Sequence, residues 1–149
     1  METRKINIKN NKAISIPINM EHVWGNYRQL LVNDHILMRC LRVYEEGTTS
    51  LHKHNIDEII IIESGSINCY IGGKHNKLEK KPMQEGDCIL ISRGTPHKVE
   101  YVSGVFKEDG KYFAQVSELC LGNNLNGKYL IHRLEPALPA RKPRVTTHE

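Results

Sequence analysis

An all-β chain, folded as one small barrel or sandwich, is what the sequence predicts. Three observations carry this. Apolar residues alternate with polar ones at period two over many short stretches. Turn signals separate those stretches at short intervals. Only two segments, 20–30 and 127–134, could hold a helical turn. At 149 residues the chain is long enough for one real core and is expected to be a single domain.

Ile6 and Ile8, then Ile14, Ile16 and Ile18, alternate with polar neighbours, as half-buried strands do. They have no obvious partner within a minimal barrel. Residues 1–20 are therefore expected to pair with a neighbouring sheet across a two-fold homodimer. Further strands are expected over 36–44, 58–63, 67–71, 87–91, 97–102 and 112–121. Between them lie Glu46-Gly47, Ser64-Gly65, Gly72-Gly73, Glu85-Gly86, Arg93-Gly94 and Asp109-Gly110. Many short strands at this spacing suit a barrel or sandwich. The barrel is expected over 21–135. The tail, 136–149, holds Pro136, Pro139 and Pro143 with little apolar content, so a poorly ordered basic tail is expected there.

The composition is that of an ordinary globular protein: 39% hydrophobic and 26% charged. Formal net charge is +4, concentrated at the two ends and not interleaved with aromatic residues, which argues against a nucleic-acid surface. No apolar run approaches a membrane span, and nothing resembles a signal peptide. Cys40, Cys69, Cys88 and Cys120 are far apart, in apolar strand-like stretches. Buried free thiols in a reducing cytoplasm are the expectation.

The chemistry is concentrated in two glycine-flanked segments. The first reads Gly47-Thr-Thr-Ser-Leu-His52-Lys-His54-Asn-Ile-Asp-Glu58 and continues through an isoleucine run to Gly65. Residues two apart on a strand share a face, so His52 and His54 form a chelating pair and Lys53 points away. Glu58 opens the next strand on the wall that also carries Ile60 and Ile62. A carboxylate there is costly to bury without a cation. The second segment ends Gly94-Thr-Pro-His97. Three imidazoles and one carboxylate suit one divalent transition metal, Zn or alternatively Fe, Mn, Ni or Co. One or two coordination positions would be left for water or substrate.

These two segments resemble the paired motifs of the cupin superfamily. Its first motif runs glycine, five residues, His-x-His, three or four residues, Glu, six residues, glycine. Here four residues separate Gly47 from His52, and the rest fits. In the second motif Gly86, Gly94 and His97 fit, while Ser92 stands for the usual proline and Tyr101 for the usual asparagine. The resemblance implies a double-stranded β-helix, or jelly-roll barrel, with His52, His54, Glu58 and His97 as the metal ligands. It leaves the activity open, because that fold hosts many functions.

A narrower resemblance runs through Val23-Trp24-Gly25-Asn26-Tyr27, Pro96-His97-Lys-Val-Glu100, Glu118-Leu-Cys-Leu-Gly122 and Ile131-His-Arg133-Leu-Glu135. It is similar to the cupin domain of type II mannose-6-phosphate isomerases, without the nucleotidyltransferase domain to which that domain is usually fused. It implies a metal-dependent sugar-phosphate isomerase working through a metal-stabilised enediolate. Alternatives are an Fe-dependent cupin dioxygenase and a non-catalytic sugar-binding cupin. A proton carrier and a cation for the phosphate are then needed. Tyr101, four residues after His97, is the expected proton carrier. Arg42 is the expected substrate-binding cation, with Arg39 on the opposite strand face and Arg133 and Lys74 as further options. Trp24 either closes the barrel mouth or seals a core end. The remaining histidines (22, 35, 75, 132 and 148) are expected on the surface.

Overall fold

The computed structural model describes residues 19–32, 35–73, 75, 77–122 and 131–139. The expected strands at Ile6–Ile8 and Ile14–Ile18, Lys74, His148 and the tail from 140 onward lie outside the described residues.

Twelve strands form two antiparallel sheets. They are β1 (Asn19–His22), β2 (Gly25–Val32), β3 (Ile36–Tyr44), β4 (Leu51–His54), β5 (Glu58–Ser64), β6 (Ser66–Gly72), β7 (Leu78–Gln84), β8 (Cys88–Ile91), β9 (His97–Ser103), β10 (Phe106–Glu108), β11 (Lys111–Leu121) and β12 (Ile131–Glu135). One sheet runs β1-β2-β3-β11-β5-β8, with β10 paired to β11; the other runs β12-β4-β9-β6-β7. This is a small antiparallel jelly roll, in line with the barrel or sandwich that the period-two pattern and the turn spacing predict. No helix among the described residues is long and apolar enough to cross a membrane.

The inner faces carry the core. On β3 burial alternates strictly from Leu37 through Arg39, Leu41 and Val43. On β5 the inward residues are Glu58, Ile60, Ile62 and Ser64. Val99 and Ile67 from the second sheet meet them in one cluster with Trp24, Val116 and Ile91. Inward isoleucine and valine fill a sheet-on-sheet core well, since their branched side chains stand on the pleat.

Three expectations are corrected. Residues 20–30 hold no helical turn; they form the hairpin β1–β2. Gly25 makes its close packing on β3 possible: its φ is +150°, and an added Cβ would lie 1.9 Å from the carbonyl oxygen of Arg42. The described part of 127–134 is likewise extended, as β12 paired to β4. Strand β7 was not expected. Its sequence Leu-Glu-Lys-Lys-Pro-Met-Gln reads as a loop, yet it is an exposed edge strand, where proline and lysine are tolerated because one side of the ladder needs no partner. At the other end Leu138 exchanges backbone hydrogen bonds with Thr48.

All four cysteines are free thiols, but only Cys69 and Cys120 are buried. Cys40 is half-buried and Cys88 exposed on β8, so uniform burial does not hold.

Candidate metal centre

His52 and His97 are register partners between β4 and β9. Their ring centroids lie 4.4 Å apart. His54 follows two residues along β4, on the same face, 4.8 Å from the His52 ring and 5.3 Å from that of His97. One nitrogen from each of the three rings lies within 4.8 Å of the others, close enough to surround one ion. The strand parity read from the sequence thus brings all three imidazoles together.

Backbone carbonyls fix two of the rings. His52 Nδ1 donates to the Ser50 carbonyl at 2.6 Å, and His97 Nδ1 donates to the Thr95 carbonyl at 2.9 Å. A carbonyl only accepts, so the proton sits on Nδ1 and the neutral ring turns its Nε2 lone pair inward. This is how a metal-binding imidazole is oriented. Burial lowers the pKa of both His52 and His97, which keeps them neutral and able to coordinate.

Glu58 closes the cluster from β5 and is fully buried. Its Oε2 is 2.9 Å from His54 Nε2, and its Oε1 is 3.8 Å from His97 Nε2. Glu58 Oε1 and His97 Nε2 have no hydrogen-bond partner among the described residues. Burial, then the neighbouring Glu118 carboxylate, raises the Glu58 pKa to about 8. A buried carboxylate and an inward-facing imidazole lone pair without hydrogen bonds are costly. A divalent cation between them satisfies both, so the donor set fits a metal.

Two charged residues line the same hollow: Arg39, named in the sequence only as the counterpart of Arg42 on the opposite face, and Glu118, given no role there. Arg39 on β3 and Glu118 on β11 are register partners, joined by a buried ion pair at 3.3 Å. Burial, the largest effect, would raise the Glu118 carboxyl, but the positive charge of Arg39 and, when protonated, of the imidazoles holds its pKa low. Both residues had a sequence signal: each shares strand parity with apolar residues of the wall, Leu37 and Leu41 for Arg39, Val116 and Cys120 for Glu118.

The expected Arg42 lies on the other face of β3. It pairs with Glu108, which also accepts hydrogen bonds from Asn26 and Tyr44, and its guanidinium covers the Phe113 ring at 4.8 Å. Arg42 does not line the hollow, and Arg39 does. Tyr101 also lies away from it. It packs against the core cluster, where burial and then Glu45 raise its hydroxyl pKa.

The hollow opens beside the β1–β2 hairpin. Trp24, buried at 8% exposure, both seals the core and lines the opening. The His22 ring stacks on Trp24 at 5.2 Å and on Tyr27 at 5.3 Å, so His22 belongs to the site rather than to the outer surface. His35, His75 and His132 are exposed, as expected. The hollow has a cavity volume of about 60 Å³.

A family model described as "Cupin domain" matches residues 41–105, the stretch from β3 to the end of β9 that holds all three histidines and Glu58. No curated protein matches the chain. Among solved structures, one variant of Bacillus subtilis oxalate decarboxylase is similar with a TM-score of 0.63 and 17% identity, over 82% of this chain and 31% of that one. Another variant of that enzyme gives 0.65 and 16%, with the same coverage. A third structure, from work on the Mn(II) centres of that enzyme, gives 0.63 and 18%. The chain spans about a third of the length of these structures. At such identities the likeness shows the fold.

Proposed function

We propose that this cupin-fold chain is a metal-dependent sugar-phosphate isomerase of the mannose-6-phosphate isomerase type, with His52, His54, His97 and Glu58 holding one divalent ion, Zn first among the options. The observation that carries the reading is the Arg39–Glu118 pair beside the imidazole cluster. Aldose–ketose interconversion needs an ion-binding wall and a proton carrier on one small cavity, and this hollow offers both.

The ion, when bound, supplies Lewis-acid stabilisation of the negative charge that develops on the substrate's carbonyl and hydroxyl oxygens. The chain's own residues do the rest. Glu118 is held ionised by Arg39, so a carboxylate oxygen is ready to accept a proton from one substrate carbon and return it to the neighbouring one. Arg39 keeps Glu118 in place and compensates its carboxylate charge before the first transfer and after the second. Trp24, Val99 and Leu41 line the rest of the hollow and keep water from the reacting carbons. The match of Trp24-Gly25 and Ile131-x-Arg133 to the isomerase-type sequence supports the same reading, and the four free thiols support a cytoplasmic location.

Turnover of mannose 6-phosphate to fructose 6-phosphate by the ion-loaded protein tests the proposal in a coupled assay. Loss of that turnover on ion removal and its return on reloading are expected. Absence of turnover with every divalent ion overturns it.

The small cavity volume, about 60 Å³, favours a second reading, in which the ion-bearing end takes a compact acid and O₂, as an Fe-dependent dioxygenase would. Oxygen consumption by Fe-loaded protein separates the two.

A further inference from the structure

We propose that the mouth of the hollow carries an oxyanion subsite built from Arg133 and His22, which grips the phosphate of the substrate while the hydroxycarbonyl end lies against the imidazoles. The substrate assignment rests on the isomerase reading; the subsite itself rests on four features of the mouth.

The first is register. Arg133 on β12 is the Cα partner of His52 on β4. Partners across an antiparallel pair point to the same face, so Arg133 stands on the side of the sheet that carries the imidazoles, and it lines the hollow.

The second is its electrostatic state. Two arginines line the hollow, Arg39 and Arg133. Arg39 is held by Glu118. The other ion pairs of arginine and lysine among the described residues join Arg42 to Glu108 and Lys81 to Glu79, so Arg133 lines the mouth with no carboxylate partner among the described residues. A guanidinium fork there can take two oxygens of a phosphate at once.

The third is His22. Its ring is fixed between Trp24 and Tyr27, and its Nε2 is buried without a hydrogen-bond partner. Arg133 is near enough to act on it: after burial, the Arg133 charge is the next cause of its lowered pKa. A ligand oxygen between the two would satisfy the imidazole nitrogen and the guanidinium together.

The fourth is size. The cavity holds about 60 Å³, well below the roughly 300 Å³ at which ordinary ligand pockets begin. A hexose phosphate can place only its reacting end inside, and the charged end must remain at the mouth, where Arg133 is.

Inorganic phosphate is the probe. Calorimetric titration of the full-length, ion-loaded protein is compared with Arg133→Ala, Arg133→Lys and His22→Gln. Trp24 is the only tryptophan, and its fluorescence reports binding at the mouth. Arg133→Ala is expected to weaken phosphate binding about tenfold or more and to remove the Trp24 response, with Arg133→Lys recovering part and His22→Gln losing less than Arg133→Ala. The KM for mannose 6-phosphate should rise in Arg133→Ala. Equal phosphate affinity in wild type and Arg133→Ala overturns the subsite. Arg133-dependent phosphate binding without turnover of mannose 6-phosphate leaves the subsite standing and overturns the isomerase reading instead.

Discussion

Arg39 and Glu118 face one another across β3 and β11, register partners whose charged ends meet at 3.3 Å inside the barrel. Both side chains are nearly inaccessible, 8% and 7% exposed. A buried pair of this kind adds little stability in itself, but removing one partner leaves an uncompensated charge that costs about 3–5 kcal/mol. Arg39→Met should lower unfolding stability by about that amount, and adding Glu118→Leu should recover most of it. Urea denaturation of the two single variants and the double variant measures the coupling. Glu118→Gln should leave the ion in place and lower kcat roughly 10²–10⁴-fold if it carries the proton. An unchanged kcat would assign Glu118 a purely structural role.

The three imidazoles predict a second outcome. They come from two strands held in register by the pairing of His52 with His97, so the site exists before any ion arrives. Replacing one imidazole removes a donor and leaves the others in position. Even residues that only orient a metal ligand change affinity about 10–100-fold when lost, so His52→Ala and His97→Ala should lose at least that much. Elemental analysis of protein purified without added metal reads this directly. Ion content that survives in His52→Ala would mean that the cluster is not where the ion sits. The melting temperature of the wild type should rise on adding the ion, since a ligand at about 100 times its Kd stabilises by about 2.7 kcal/mol; His52→Ala should show little of that rise.

His52, His54, Glu58 and His97 were legible because a strand's period is two and glycine-flanked turns fix where each strand starts. The same rule applied to Glu118 would have found it, since it is a charge on the parity of buried Val116. The choice between Arg39 and Arg42 turned instead on which face of β3 meets the second sheet, and that depends on partner strands far away in sequence. His22 is hidden because residues 20–30 read equally as a possible helical turn. Only the hairpin, with Gly25 against the Arg42 carbonyl, folds that imidazole between Trp24 and Tyr27. Strand β7 was hidden by Lys80, Lys81 and Pro82, residues that an edge strand accepts and an interior one does not.

Glu58 predicts an inverted pH dependence for the metal-free protein. Its folded pKa is raised from 4.5 to about 8 by burial and by Glu118. Between those values the folded chain keeps a proton that the unfolded chain has released, so stability falls as pH rises through this window. His52 and His97 act in the other direction. Their folded pKa values lie below the ordinary 6.5, so they cost stability as pH falls below 6.5 and contribute no slope above it. From pH 6.5 to 8 the Glu58 effect should therefore dominate, and the melting temperature of EDTA-treated protein should decline over that range. Glu58→Gln cannot ionise and should flatten the decline. Saturating divalent ion should reverse it, because coordination favours the ionised carboxylate. A metal-free melting temperature that holds level or rises between pH 6.5 and 8 would show that Glu58 is already ionised in the folded chain, with its charge compensated by the imidazoles and Arg39 rather than awaiting an ion.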